Sequence, residues 1–222
     1  MSGAGGRAVV VVGGGGHGKV AIATLQAAGV AVAAVLDDDE RRHGLALLGV
    51  PIAGPLASLA ERPERRVLLA VGDNRTRRRL AGELEAAVAG LEWVSAVHPA
   101  ATVHASVRLA PGSVVFAAAV IQPDVEIGCH AIVNTAASVD HDCVVGDFAH
   151  LAPRVCLAGD VRLGAGAFLG VGACVLPGRR VGAWATVGAG GVVVEDVAAE
   201  TTVAGVPARP RPVGGAGAGG AR

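Results

Sequence analysis

Large aliphatic residues recur at every sixth position through the second half of the chain, from Val103 to Val193, in sixteen consecutive instances. Four places after each of them, from Val107 to Gly191, the residue is small or valine, with Arg179 as the one exception. A spacing of six matches neither the helical period of 3.6 nor the two-residue alternation of a half-buried strand. It predicts a parallel β-helix, a prism with one aliphatic side chain inside each flat face and one small side chain inside each corner. Because three hexads make one turn of 18 residues, the pattern predicts about five turns.

The first hundred residues follow a different pattern, in which short apolar runs alternate with helical segments. This alternation is typical of parallel βαβ units. The predicted elements are strands at 8–12, 30–36, 67–71 and 91–97, and helices at 19–28 and 75–88. We therefore predict an α/β domain at residues 1–97 with a parallel sheet of about four strands, followed by the β-helix at residues 98–212.

Composition limits the class of protein. The 222 residues include 34 glycines without a Gly-X-Y period, which excludes collagen and indicates many tight corners. The 19 basic and 19 acidic residues cancel, which argues against a nucleic-acid partner. Neither a membrane span nor a signal peptide is evident, so we predict a cytoplasmic protein with no membrane partner. Residues 213–222 are of low complexity and are predicted to form a disordered tail.

The four cysteines contain no CxxC pair, so no zinc site is predicted, and no other metal site is expected. Cys143 occupies the inward small position of its hexad, which favours a core role over that of a nucleophile. Cys156 and Cys174 are 18 residues apart and should stack on neighbouring coils. In a reducing compartment we expect both to be free thiols.

A glycine-rich loop lies between the first predicted strand and helix. Gly13, Gly15 and Gly18 satisfy GxGxxG, and acidic residues follow about 20 positions later. The loop amides and the helix N-terminus are suited to bind phosphate, and the histidine within the loop would face the ligand. The unit is about half of a dinucleotide-binding domain, which favours a Rossmann-like half domain for a mononucleotide or nucleotide-sugar. Asp37 or Asp38 could accept a hydrogen bond from a base or ribose; the alternative is a solvated loop.

The hexad pattern and the closing residues 205–208, Gly-Val-Pro-Ala, resemble the hexapeptide-repeat acyltransferases. This resemblance implies a left-handed parallel β-helix and acyl transfer. A prism that serves only as a scaffold is the alternative.

The 18-residue turn places candidate catalytic groups on one corner. Adding 18 to His141 gives Gly159, one coil further on, where the absence of a side chain would let a substrate approach a backbone N–H. Asp142 could orient the His141 ring and make it more basic. For acetyl transfer from acetyl-CoA to an amine, His141 would accept the proton and the Gly159 amide would stabilise the oxyanion. No covalent nucleophile is required, so we expect direct transfer.

Four motifs together resemble the PglD/NeuD-like family of sugar O- and N-acetyltransferases, which includes bacillosamine-pathway and perosamine N-acetyltransferases. They are the glycine loop, the Leu-Asp-Asp end of the second strand, the segment Val-Gly-Asp-Asn at 71–74, and Asn134 followed by His141 and Asp142. The resemblance implies an acetyl-CoA-dependent N-acetyltransferase acting on a UDP- or GDP-linked amino sugar. It also implies a homotrimer with active sites between neighbouring prisms. Relatives often carry glutamate at the position of Asp142.

The same resemblance implies a role for individual residues. His141 would be the general base, tuned by Asp142. The implied acetyl-CoA contacts are His150, Gly159, Val171 and Ala189. The implied nucleotide-sugar contacts are Gly15, Gly16, His17, Asp37, Asp38, Gly72, Arg75 and Asn134.

Two alternative activities stay open on the sequence alone. The first is O-acetylation of a sugar hydroxyl, as in the sialic-acid type, which would depend more strongly on His141 because a hydroxyl is a poorer nucleophile. The second is an NAD-dependent redox enzyme, because it would use the same glycine motif.

Overall fold

The computed structural model describes residues 8–211, so the predicted disordered tail at 213–222 lies outside the described residues. The elements of the N-terminal domain are β1 (Val9–Val12), α1 (Gly16–Ala27), β2 (Val32–Leu36), β3 (Ala46–Leu47), β4 (Val50–Gly54), β5 (Arg66–Leu69), α2 (Asn74–Ala87) and β6 (Glu92–Trp93). Two short 3-10 helices, Glu40–Arg42 and Leu56–Glu61, complete it.

The N-terminal sheet has six strands in the order β3-β4-β2-β1-β5-β6. Strand β1 is buried on both faces, because Val9 and Val11 pack on the α1 side while Val10 and Val12 pack on the α2 side. The prediction of about four parallel strands was wrong, since it missed the antiparallel hairpin of β3 and β4. Both residues of the two-residue turn between them have positive φ, the geometry that joins such short hairpins.

The predicted strand at 91–97 is two strands that belong to different sheets. Glu92–Trp93 pairs with β5 in the N-terminal sheet. Ala96–Val97, strand β7, pairs instead with Val114–Val115 of the β-helix. One predicted strand therefore contains the passage from one domain to the next, which its hydrophobicity could not reveal.

Most strands of the β-helix have two residues and pair in parallel with the strand 18 residues away. At the C-terminal end, Thr202–Ala204 pairs in parallel with Thr186–Val187, and Arg209–Pro210 pairs antiparallel with Thr202–Ala204. Strands β7–β25 are Ala96–Val97, Thr102–Val103, Arg108–Leu109, Val114–Val115, Val120–Ile121, Glu126–Ile127, Ile132–Val133, Ser138–Val139, Val144–Val145, His150–Leu151, Cys156–Leu157, Arg162–Leu163, Phe168–Leu169, Cys174–Val175, Arg180–Val181, Thr186–Val187, Val192–Val193, Thr202–Ala204 and Arg209–Pro210. They form three sheets, one on each face of the prism.

The interior of the prism is the predicted one. From Val115 onward, the aliphatic residues of the hexads and most of the small residues four places later form one continuous buried cluster, and Val103, Val107 and Leu109 pack against it partly buried. Cys143 belongs to that cluster, and burial raises the pKa of its thiol to about 11, so a core role is confirmed. Cys156 and Cys174 pair in register on neighbouring coils, and both are free thiols. The left-handed parallel β-helix predicted from the resemblance is confirmed.

The glycines are not confined to the tight corners that the composition indicated. The corner residue with positive φ lies three places after each aliphatic from Leu109 to Val187, and at many corners it is not glycine. Those non-glycine residues are Ala118, Asp124, His130, Ala136, Asp142, Phe148, Arg154, Asp160 and Trp184. Several glycines are needed instead for close approach between coils; a Cβ at Gly146 would lie 2.7 Å from the backbone nitrogen of Ala165.

The N-terminal domain packs on the outer face of the β-helix sheet that contains β7, β10 and β13. Val114, Phe116 and Ile132 of that sheet join the same buried cluster as Ile22 and Leu25 of α1. Within residues 8–211, neither α-helix has the length and hydropathy of a membrane span.

Candidate active site

His141 and Asp142 form a hydrogen-bonded pair at the corner that follows β14. Nδ1 of His141 lies 2.8 Å from Oδ2 of Asp142, and the His141 side chain is 61% exposed. The hydrogen bond with Asp142 is the main cause that raises the pKa of His141, and the charge of Asp140 adds to it. With Nδ1 donating to the carboxylate, Nε2 carries the lone pair, as a general base requires.

Gly159 lies directly against the His141 ring. A Cβ on Gly159 would approach Nε2 and Cε1 of His141 to 2.7 Å, so any larger residue at this position would displace the ring. The two coils are joined by the hydrogen bond from the Asp160 N–H to the His141 carbonyl, at 3.0 Å. Within residues 8–211 the Gly159 N–H has no acceptor. The juxtaposition of residues 141 and 159 predicted from the 18-residue turn is therefore confirmed, while their catalytic roles stay predictions.

The glycine loop divides into structural and open positions. A Cβ at Gly18 would lie 2.2 Å from the Gly13 carbonyl oxygen, so this glycine is required for close packing of α1 on the loop. Gly13 itself has φ of +108° and lies against the Ala70 carbonyl. Gly15 and Gly16 have open space on their Cα atoms, at the N-terminus of α1. Helix α1 begins at Gly16 rather than at Lys19 as predicted, which places these amides at the helix N-terminus.

Asp37 and Asp38 both brace neighbouring loops. Asp37 accepts hydrogen bonds from the Gly14 N–H at 2.6 Å and the Asp39 N–H at 2.8 Å. Asp38 accepts from the Leu56 N–H at 2.9 Å. These bonds fix the carboxyl edge of the sheet beside the glycine loop. Contact of either carboxylate with a ligand stays a prediction.

Arg42 is a loop residue that the sequence analysis did not single out. It donates to the Gly14 carbonyl at 2.6 Å and pairs with Asp39. It thus places a cation at the glycine loop, and no motif marks it in the sequence.

His17, Gly72, His150 and Asn134 meet where the two domains join. His17 lies in the first turn of α1 rather than in the loop, and its ring centroid is 6.0 Å from that of His150. His150 lies 3.2 Å from the Gly72 carbonyl through Nδ1 and 3.2 Å from Asn134 Nδ2 through Nε2. Burial, and next Arg77, lowers the pKa of both histidines to about 4, so both are neutral. Four residues predicted from distant motifs therefore form one cluster; their contacts with ligands stay predictions.

Arg75 lies at the mouth of a cleft of about 260 Å³ between α2 and the β-helix. It pairs with Glu200 at 3.0 Å, and its guanidinium lies 4.7 Å from the ring centroid of Trp184. The cleft is lined by Gly72, Asp73, Asn74, Arg75, Gly166, Phe168, Trp184 and Thr186. The sequence analysis did not single out Trp184. The chain has only two tryptophans, and the position of this one at a corner of the hexad repeat could have identified it.

Val171 and Ala189 lie one coil apart at the corner that follows β19 and β22, where the Gly190 N–H donates to the Val171 carbonyl at 2.8 Å. Both are exposed, Val171 by 54%. This corner is not the one that carries His141. Within the described residues, no hydrogen bond or ring contact joins His141 or Asp142 to the N-terminal domain. In the same part of the chain, no three His, Cys, Asp or Glu side chains cluster as a metal site.

Comparisons with known proteins find relatives of the same fold. Residues 8–84 match the model of the PglD N-terminal domain family. A histidine-to-alanine mutant of the GDP-perosamine N-acetyltransferase from Caulobacter crescentus, in complex with CoA and GDP-perosamine, is 46% identical, with 92% of this chain and 97% of that chain covered and a TM-score of 0.88. The acetyltransferase domain of PglB from Neisseria gonorrhoeae, in complex with acetyl coenzyme A, is 38% identical, with 93% and 100% covered and a TM-score of 0.84.

A third solved structure, WeeI from Acinetobacter baumannii, is 25% identical over 92% of this chain and 99% of its own, with a TM-score of 0.82. A comparison with curated protein sequences finds no significant match.

Proposed function

This chain belongs to the PglD/NeuD-like family of sugar acetyltransferases, and we propose that it transfers the acetyl group of acetyl-CoA to the amino group of a nucleotide-linked amino sugar. The observation that carries the proposal is the hydrogen-bonded pair of His141 and Asp142 beside Gly159, whose N–H has no acceptor among residues 8–211. A base and an oxyanion donor are the two groups that direct acyl transfer requires.

The proposed reaction begins when the neutral amine attacks the thioester carbonyl. As the C–N bond forms, the amine loses a proton to Nε2 of His141, and Asp142 stabilises the resulting imidazolium through Nδ1. The carbonyl oxygen becomes an oxyanion that accepts from the Gly159 N–H. Collapse of this intermediate breaks the C–S bond, and the proton passes from His141 to the departing CoA thiolate. The products are the acetamido sugar and CoA.

The proposed nucleotide-sugar site is the carboxyl edge of the N-terminal sheet. The open amides at Gly15 and Gly16 are suited to bind phosphate oxygens, because they lie at the N-terminus of a 12-residue helix. Asp37 lies against the same loop at Gly14, Asp38 accepts from the Leu56 N–H, and Gly72, His17 and Asn134 lie at the domain junction. The relative from C. crescentus was solved with GDP-perosamine, so a GDP-linked amino sugar is the first substrate to test.

The proposal includes a homotrimer, because the candidate catalytic and binding groups of one chain lie at separate corners. His141 and Gly159 lie at one corner, while Val171 and Ala189 lie at another and the glycine loop lies in the N-terminal domain. A neighbouring prism would bring the His141 corner of one chain to the substrate groups of the next. We also propose a cytoplasmic location, where acetyl-CoA is available, and a role in polysaccharide biosynthesis. Sedimentation analysis tests the trimer directly.

The function is tested with acetyl-CoA and a panel of GDP-, UDP- and dTDP-linked amino sugars, with CoA release and the product mass as readouts. We expect turnover of at least one GDP- or UDP-linked amine. GDP-mannose is the matched control, because it offers a hydroxyl in place of the amine. Acetylation of GDP-mannose without acetylation of any amine would overturn N-acetyl transfer in favour of O-acetyl transfer.

Replacement of Gly159 by alanine tests the oxyanion site. The new Cβ would meet the His141 ring at 2.7 Å and displace it from its position against residue 159. We expect kcat to fall about 10²-fold with an unchanged unfolding temperature, because the site is at an exposed corner. Gly82→Ala is the control, since nothing lies within 4 Å of a Cβ there. A Gly159→Ala enzyme with wild-type kcat would contradict the proposed geometry.

A further inference from the structure

Arg77 is a buried cation that none of the predicted roles includes. Its residue is 1% exposed, and it lies on the same face of α2 as Leu80, Ala81 and Leu84. A guanidinium at such a position is costly unless its N–H groups are hydrogen-bonded. Burial lowers the pKa of Arg77 to about 10, which leaves it charged at neutral pH.

All five N–H groups of Arg77 donate to neutral oxygen atoms, and these acceptors come from both domains. Two acceptors belong to corners of the β-helix, the backbone carbonyls of His130 at 2.9 Å and Phe148 at 2.7 Å. The other three are in the N-terminal domain: the carbonyls of Val71 at 2.8 Å and Gly72 at 3.1 Å, and Oδ1 of Asn74 at 2.9 Å. Arg77 therefore ties the loop between β5 and α2 to the prism.

The Gly72 carbonyl that Arg77 holds is also the partner of His150. A carbonyl oxygen can only accept, so Nδ1 of His150 must carry the proton in this 3.2 Å contact. Nε2 then carries the lone pair and accepts from Nδ2 of Asn134. Oδ1 of Asn134 is occupied by the Thr135 N–H at 2.8 Å. The second Nδ2–H of Asn134 is thereby left for an oxygen atom of a ligand.

We propose that Arg77 is a positioning residue for the active site, which fixes Gly72 against the β-helix and thereby holds His150 as its neutral Nδ1–H tautomer. The cluster of His150, Asn134 and Gly72 then presents one orientation to the substrate. The hydrogen-bond geometry around Arg77 does not depend on the activity, whereas the kinetic effects of replacing Arg77 rest on the proposed function. Electrostatics also favours the neutral ring. Burial is the main cause that lowers the pKa of His150, and the positive charge of Arg77 lowers it further.

The test compares Arg77→Lys and Arg77→Met with Arg79→Lys, an exposed neighbour that pairs with Glu83 within α2. Lysine keeps the charge but has three donors for five acceptors. For Arg77→Lys we expect KM for the nucleotide-sugar to rise about tenfold and kcat to fall about tenfold. Arg77→Met should lose more, and Arg79→Lys should stay within about twofold of wild type. Loss of folded enzyme alone would lower the rate but would leave KM unchanged.

Nitrogen-15 NMR of the His150 ring provides the readout that does not depend on turnover. We expect the Nδ1–H tautomer in the wild type at pH 7 and a mixture of tautomers in Arg77→Lys. An Nε2–H or doubly protonated ring in the wild type would overturn the proposal, even if both variants fail to fold. So would a folded Arg77→Lys with wild-type KM and tautomer. If the wild type acetylates no nucleotide amino sugar, the proposed function fails, and the NMR comparison still decides the role of Arg77.

Discussion

Replacement of His141 by alanine is expected to lower kcat about 10²- to 10⁴-fold, because the amine then has no base to take its proton. The His141 side chain is 61% exposed, so its removal should leave the unfolding temperature unchanged. Asparagine keeps a polar group at this position without a basic nitrogen, and His141→Asn should lose as much. The measurement is CoA release at saturating acetyl-CoA and nucleotide-sugar.

His104→Ala is the matched control for this prediction. His104 is also an exposed corner histidine after a strand of the same sheet, where its Nδ1 contacts Ser106 Oγ at 3.0 Å. Its removal should leave the rate unaltered. A His141→Ala enzyme that keeps more than about a tenth of the wild-type kcat would exclude His141 as the general base.

The pH profile should carry the signature of the same pair. Protonation of His141 removes the base, so the rate should fall as the pH drops through the pKa of this group. Asp142 raises that pKa above the ordinary 6.5, so the acidic limb should lie above 6.5 in the wild type. Asp142→Asn should move the limb to lower pH, while Asp142→Glu should largely preserve it. An acidic limb that stays at the same pH in Asp142→Asn would contradict the role of this carboxylate.

Acidification is expected to destabilise the fold strongly between pH 6.5 and 4. His130 and His150 are 3% and 8% exposed, and burial lowers the pKa of each from 6.5 to about 4. In this interval the unfolded chain binds more protons than the folded chain, so the free energy of unfolding falls as the pH falls. Each group contributes about 2 kcal/mol of loss by pH 5 and about 3 kcal/mol below pH 4.

Urea unfolding at a fixed protein concentration, at pH 7.5, 6.0 and 5.0, measures this effect. His130→Asn should reduce the pH dependence, because asparagine does not titrate and tolerates the positive φ of this corner. His104→Gln should leave it unaltered, since His104 is exposed. A free energy of unfolding that stays constant from pH 7.5 to 5.0 would show that the buried histidines are not neutral in the folded state.

Periodicity made much of the site predictable. Once the repeat of 18 residues is recognised, arithmetic places Gly159 one coil from His141, and the structure has the ring lying on that glycine. The GxGxxG motif likewise predicted a turn between β1 and α1, and Gly13 and Gly18 fill the roles that steric crowding assigns. Such predictions hold because a short repeat fixes its own geometry locally.

Residues that act across the domain junction could not be predicted in this way. Arg77 is one of four arginines among five residues of α2, and only the buried face of that helix distinguishes it from its exposed neighbours. Its acceptors at His130 and Phe148 are 53 and 71 residues away in the chain. No local spacing encodes those distances. The contact of His17 with His150 is of the same kind.

By itself, the sequence determined the β-helix, its inward residues and the pairing of His141 with Gly159, because a six-residue period leaves one way to bury every aliphatic side chain. Only the tertiary structure decided where the strand at 91–97 divides, which face of the prism receives the N-terminal domain, and which histidines are neutral. Those features depend on burial and hydrogen bonds between segments far apart in the chain. The hydrophobic pattern indicates whether a residue is buried, but it does not indicate which segment of the chain that residue packs against.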